Sequence, residues 1–85
     1  MKYITFTFDR NEPLNNQERV LKEINNWKGD VIKASRLKPD AKHEELRRFC
    51  YAQVSEDVPT DRIIDRIKGL PGIESVEEPA ERRLV

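Results

Sequence analysis

The sequence predicts an α+β sandwich of βαββαβ order, a four-stranded antiparallel sheet with two helices on one face. Alternating apolar and polar residues mark strands, and apolar residues every three or four positions mark helices. These stretches follow one another as strand, helix, strand, strand, helix, strand. The 85 residues suffice for one domain with one thin core.

The first strand runs from Lys2 to Phe8, where Ile4, Phe6 and Phe8 alternate with Thr5 and Thr7. Asp9 to Pro13 is a polar connection. A helix is expected over Asn16 to Lys28, with Asn15 and Glu18 at capping-box spacing. Val20, Leu21, Ile24 and Trp27 form its apolar stripe, and Gly29 suits the left-handed conformation that ends a helix.

The second strand is expected from Val31 to Leu37. Ile32 and Ala34 mark one face, and Val31, Lys33, Ser35 and Leu37 the other. A charged connection, Pro39 to Glu45, holds the single histidine, His43. The third strand is expected from Leu46 to Val54. Cys50, Ala52 and Val54 share one face, with Phe49, Tyr51 and Gln53 opposite. Ser55 to Pro59 leads to the second helix, Thr60 to Lys68. Thr60 is its candidate cap, Asp61 suits the positive end of its dipole, and Ile63, Ile64, Ile67 and Leu70 form its stripe. Gly69-Leu70-Pro71-Gly72 stops it. The last strand begins at Ile73 and includes Val76, and Pro79 breaks ladder bonding. The domain therefore spans residues 1–79, with 80–85 a short tail.

With both helices on one face, the other face stays open. Tyr3, Thr5, Thr7, Lys33, Ser35, Leu37, Phe49, Tyr51 and Gln53 are assigned there. Aromatic rings exposed beside Leu37 and Tyr3 point to a binding surface. The alternative is a third strand slipped by one residue, which would bury the aromatics and expose Cys50 and Val54.

Composition narrows the function classes. Hydrophobic residues are 36% of the chain and charged residues 38%, but the apolar ones cluster, which fits a globular domain. The 16 basic and 16 acidic side chains cancel, so bulk attraction to nucleic acid or anionic membrane is not expected. No apolar run approaches the roughly 18 residues of a membrane span. No signal peptide follows Met1, so the chain reads as cytoplasmic or as a mature fragment of something longer. The single Cys50 allows no internal disulfide and reads as a core residue.

No catalytic constellation, cofactor or metal site is expected. His43, flanked by Lys42 and Glu44, reads as a solvated loop residue, with no group to orient it toward Cys50. One cysteine and one histidine cannot close a zinc site, and the loop after the first strand, Asp9-Arg10-Asn11-Glu12-Pro13, lacks a cysteine pair. Glu44-Glu45 and Glu77-Glu78 are adjacent pairs that read as solvated charges. No glycine-rich phosphate loop occurs.

In outline the chain resembles ferredoxin-like domains. Its second half is similar to the subtilisin-propeptide family of protease inhibitors. Ala52-Gln53-Val54-Ser55-Glu56, the Ile63/Ile64/Ile67 helix and Leu70-Pro71-Gly72-Ile73-Glu74-Ser75-Val76-Glu77-Glu78 carry the likeness, with Tyr3-Ile4-Thr5-Phe6 as the first strand. The resemblance implies a non-catalytic protein-binding module, an inhibitor or folding chaperone, docking its open face on two helices of a subtilisin-like protease. Glu77 and Glu78 would sit at the N-termini of those helices, where the dipoles favour anions. Arg82-Arg83-Leu84-Val85 would enter the substrate cleft as an extended strand.

Arg47-Arg48-Phe49-Cys50-Tyr51-Ala52-Gln53-Val54 also resembles the third strand of RNA-recognition domains, which implies base stacking on Phe49 and Tyr51. A third alternative is a regulatory or homodimerising domain that covers its open face with a second copy. The candidate partner-binding residues are thus Tyr3, Leu37, Phe49, Tyr51, Glu77, Glu78, Arg82, Arg83, Leu84 and Val85.

Overall fold

The computed structural model describes residues 2–27, 29–40 and 42–77. Strands β1 (Lys2–Phe8), β2 (Val31–Arg36), β3 (Phe49–Val54) and β4 (Ile73–Glu77) form one sheet of order β2-β3-β1-β4. Every neighbouring pair is antiparallel. Helices α1 (Leu14–Asn25) and α3 (Thr60–Lys68) make the two crossovers and share one core with the sheet. This is the ferredoxin-like βαββαβ arrangement.

The register is the in-register reading of the third strand. Cys50, Ala52 and Val54 are 0–1% exposed, and they join Ile4, Phe6 and Phe8 beneath the helices. Phe6 and Phe8 meet edge to face at 5.8 Å. Val20, Leu21 and Ile24 of α1 and Ile63 and Ile67 of α3 close the core. Truncating such a buried phenylalanine costs about 3–5 kcal/mol.

Strand β2 departs from the expected faces. Val31 pairs with Val54, yet the next pair is Lys33 with Gln53, so Ile32 is an extra residue. The bulge turns Val31 inward and leaves Ile32 63% exposed. Beyond it Ala34 and Arg36 face the helices, and Lys33, Ser35 and Leu37 the open side. The strand ends at Arg36, although the Leu37 amide still donates to the Phe49 carbonyl at 2.9 Å.

Helix α1 starts at Leu14, two residues before the expected start, because Pro13 already holds a φ of −63° at the cap. The Asn15–Glu18 capping box does not form. Glu12 takes over: its carboxylate accepts from Asn16 Nδ2 and its carbonyl accepts from Gln17 Nε2. Glu18 instead holds Arg36 at 3.0 Å. The helix ends at Asn25, short of the expected Lys28, which lies outside the described residues. The Asn25 amide is drawn to strand β2, donating to the Ala34 carbonyl at 2.9 Å and accepting from the Ala34 amide at 2.8 Å. The Trp27 carbonyl then accepts the Asp30 and Val31 amides, with Gly29 at φ +91°.

A short turn of helix, α2 (Glu44–Arg47), occupies the expected connection and the expected start of the third strand, so Leu46, Arg47 and Arg48 are not strand. Two buried arginines hold this turn. Arg36 donates to the Arg47 carbonyl at 2.6 Å and to Gln17 Oε1 at 2.8 Å. Arg48 donates to the Phe8 carbonyl and to Glu74, both at 3.0 Å. Glu74 is itself an extra residue, because Ile73 pairs with Phe8 and Ser75 with Thr7.

Helix α3 has the expected bounds. Pro59, rather than Thr60, occupies its cap position, and no side chain caps it. Arg66 ties it to the end of α1, with its guanidinium 4.0 Å over the Trp27 ring and 2.9 Å from Asp30. Pro79 and the tail expected over 80–85 lie outside the described residues.

Candidate functional site

Alternation along the two central strands builds the open face. Residues 4, 6 and 8 of β1 face the helices, so Tyr3, Thr5 and Thr7 face away. Residues 50, 52 and 54 of β3 are inward, so Phe49, Tyr51 and Gln53 are outward and half-buried. Pairing sets Tyr3 beside Gln53 and Tyr51 beside Thr5. The two tyrosines are therefore diagonal neighbours, in edge-on contact with ring centroids 6.0 Å apart.

Phe49 lies beside Thr7 on β1, and the Arg48 guanidinium sits 5.0 Å from its ring centroid. Leu37, 51% exposed, extends the apolar surface from the β2 side, and Tyr3 is 40% exposed. Small hydroxyl residues fill the other half. Thr5, Thr7 and Ser75 border a depression of about 270 Å³ that Phe49, Leu37 and Glu77 also line. Glu77 pairs with Thr5, which puts its exposed side chain at the rim of this face. Lys33 lies at the opposite rim, beside Gln53.

Of the candidate residues, Tyr3, Leu37, Phe49, Tyr51 and Glu77 come together on this one face. Glu78, Arg82, Arg83, Leu84 and Val85 lie outside the described residues. Ser75 joins the face without having been marked by the sequence, since the Glu74 bulge interrupts the alternation that would have placed it. The inward Arg36 is a further residue the sequence reading does not mark, although it stands two positions after Ala34 with no bulge between them.

The remaining chemistry-bearing groups stand apart. Cys50 is fully buried, and burial pushes its thiol up to about 12. The nearby Arg36 charge opposes that shift, and Glu18 adds to it. Such a thiol carries almost no thiolate near neutral pH. His43 is exposed at the start of α2, with its carbonyl accepting the Leu46 amide. Among the described residues no three His, Cys, Asp or Glu side chains converge as a metal site. No helix among them is long and apolar enough to cross a membrane.

A groove of about 750 Å³ runs between α1 and β2 past Glu18, Arg19, Lys22, Asn25 and Arg36. Its walls carry both charge signs. A second hollow of about 380 Å³ lies between Arg10, Glu12, Gln17 and Arg48. No protein-family model, curated protein or solved structure matches the chain.

Proposed function

We infer that the chain is a non-catalytic protein-docking module that works through its open sheet face, in the manner of the protease-inhibitory propeptides it resembles. The observation that carries this reading is the grouping of Tyr3, Leu37, Phe49 and Tyr51 on that face, with Glu77 at its rim. Aromatic side chains at the centre and a charged rim are what protein interfaces use.

Charge favours protein over nucleic acid as the partner. Among the described residues the edge strands place Lys33 and Glu77 at the rims of the face, one charge of each sign, and the chain's net charge is zero. The cation beside Phe49 is engaged by Glu74 at 3.0 Å. A nucleic-acid surface needs several cations directed at phosphates.

Area argues for a composite contact. Four strands of about five residues span a footprint of roughly 300–400 Å². That is about half of what a stable interface of about 800 Å² per partner needs. In this reading the residues after Glu77, ending in Arg82-Arg83-Leu84-Val85, supply the rest by lying in the partner's cleft.

The test is titration of several subtilisin-like proteases with the full chain, with the chain lacking its last four residues, and with Phe49→Ser/Tyr51→Ser. The full chain binds and inhibits, the shortened chain binds without inhibiting, and the double variant binds at least about tenfold more weakly. Absence of binding across the proteases, or binding that the double variant leaves unchanged, overturns the reading.

A further inference from the structure

We propose that the open face closes on a second copy of the chain whenever no other protein holds it, about a two-fold axis running along the strands. This rests on the reading of that face as a protein-docking surface and names one occupant for it.

The sheet order fixes what such an axis brings together. With β2-β3-β1-β4 read across the sheet, the rotation lays β3 over β1 of the second copy and β2 over its β4. Tyr51 is level with Thr5, and Phe49 with Thr7. Leu37 is level with Phe49 through its backbone bond, and Ser75 with Thr7. Tyr51 therefore meets Thr5 of the second copy, Phe49 meets Thr7, and Leu37 meets Ser75. Each of these large side chains on the β2–β3 half opposes a small hydroxyl residue on the β1–β4 half. Two sheets interdigitate in this way when they pack face to face about 10 Å apart.

The depression supplies the fit. Thr5, Thr7 and Ser75 border it, and its volume of about 270 Å³ exceeds the roughly 150 Å³ that admits a benzene ring. It lies where the rotation delivers Phe49 of the second copy.

Charge is self-complementary under the same rotation. Lys33 on β2 and Glu77 on β4 occupy opposite rims of the face. The axis brings Lys33 of each copy over the β4 rim of the other, offset from Glu77 by two residues, or about 7 Å along the strand. Long side chains span that offset, and symmetry makes the pair twice. A two-fold axis across the strands would instead set β4 on β4 and β2 on β2, so that no Lys33 rim meets a Glu77 rim. The footprint, about half of a stable interface, makes the dimer reversible rather than obligate.

The experiment is light scattering from about 10 μM to about 1 mM on the full chain and on folded variants. The apparent mass of the wild type rises from one chain toward two. Lys33→Glu and Glu77→Lys each weaken association roughly tenfold, since each reversal counts twice. The double reversal restores it. Thr7→Trp, which fills the depression, abolishes it. A single-chain mass throughout, or association that these variants do not alter, overturns the proposal. Protease titration at about 1 μM, where the chain is monomeric, separates the two readings. Binding there that is lost in Phe49→Ser/Tyr51→Ser keeps the docking surface even if the dimer fails.

Discussion

Replacing Arg36 by methionine tests how the fold holds the β2–β3 connection in place. Arg36 is 9% exposed, and its guanidinium reaches Gln17 Oε1 at 2.8 Å, the Arg47 carbonyl at 2.6 Å and Glu18 at 3.0 Å. Methionine keeps much of the volume and removes the donors. Gln17 is 5% exposed, so its oxygen loses its partner in a buried place, at a cost of about 1–3 kcal/mol. The Glu18 side chain is 68% exposed and returns to water, so the ion pair adds at most about 1 kcal/mol. The arginine's own desolvation is relieved, which offsets part of the loss. The net expectation is destabilisation of about 2–3 kcal/mol, a large share of the roughly 5–10 kcal/mol of a small domain. Urea unfolding measures it as a lower midpoint with an unchanged slope. Arg36→Met/Gln17→Leu removes both partners, so it costs less than the sum of the single changes. A loss under about 0.5 kcal/mol for Arg36→Met, or strictly additive losses, would refute the reasoning.

Three further outcomes follow from named geometry. Cys50 has a thiol held at about 12 against 9.0 for the free group, so the unfolded chain ionises first as pH rises. Its contribution is fully present below pH 9 and falls between pH 9 and about 12, by up to about 1.4 kcal/mol per pH unit. The wild-type stability minus that of Cys50→Ala should decline in that window, and a flat difference would rule the linkage out. Gly72 sits at φ +86°, where an added Cβ would lie 2.5 Å from the Glu12 carboxyl carbon; Gly29 at φ +91° has nothing within 4 Å. Gly29→Ala should cost about 1 kcal/mol by thermal unfolding, the cost of the left-handed backbone, and Gly72→Ala about 1 kcal/mol more, because the Glu12 carboxylate must swing away from Asn16. Equal losses would count against the clash. Asn25→Ala removes the amide that covers both backbone groups of Ala34 at the sheet edge. It should lose about 1–2 kcal/mol and speed amide exchange at Ala34, and unchanged exchange there would contradict that role.

How far the sequence reaches depends on whether one period governs a segment. In β3 the alternation allows two registers one residue apart, and the structure takes the one that puts the small residues Cys50, Ala52 and Val54 under the helices and leaves Phe49 and Tyr51 on the open face. In β2 the same reasoning misplaced Val31 and Ile32, because one inserted residue reverses every face before it and period-two counting cannot see an insertion. The start of β3 was overextended for a related reason. Leu46, Arg47 and Arg48 include no glycine or proline to stop a strand, yet bonds from Arg36 and Arg48 to distant carbonyls hold them in and beside a helical turn. The Asn15–Glu18 cap does not form because the helix already starts at Leu14, which puts Asn15 inside it and leaves Glu18 to reach Arg36, eighteen positions away. Such a distant partner is invisible in local spacing. Tyr3 was legible as a site residue for the opposite reason: its neighbours Ile4 and Phe6 leave it only one face.

The central claim is that the open sheet face docks a protein. Its most direct measurement is the affinity of a subtilisin-like protease for Phe49→Ser/Tyr51→Ser compared with Leu14→Ser, an exposed apolar residue at the start of α1. Both variants should be folded at the assay temperature, which their unfolding transitions check. The account predicts at least about tenfold weaker binding for the face variant and wild-type binding for Leu14→Ser. Wild-type binding by the face variant, equal losses in both, or no binding by the unaltered chain would contradict it.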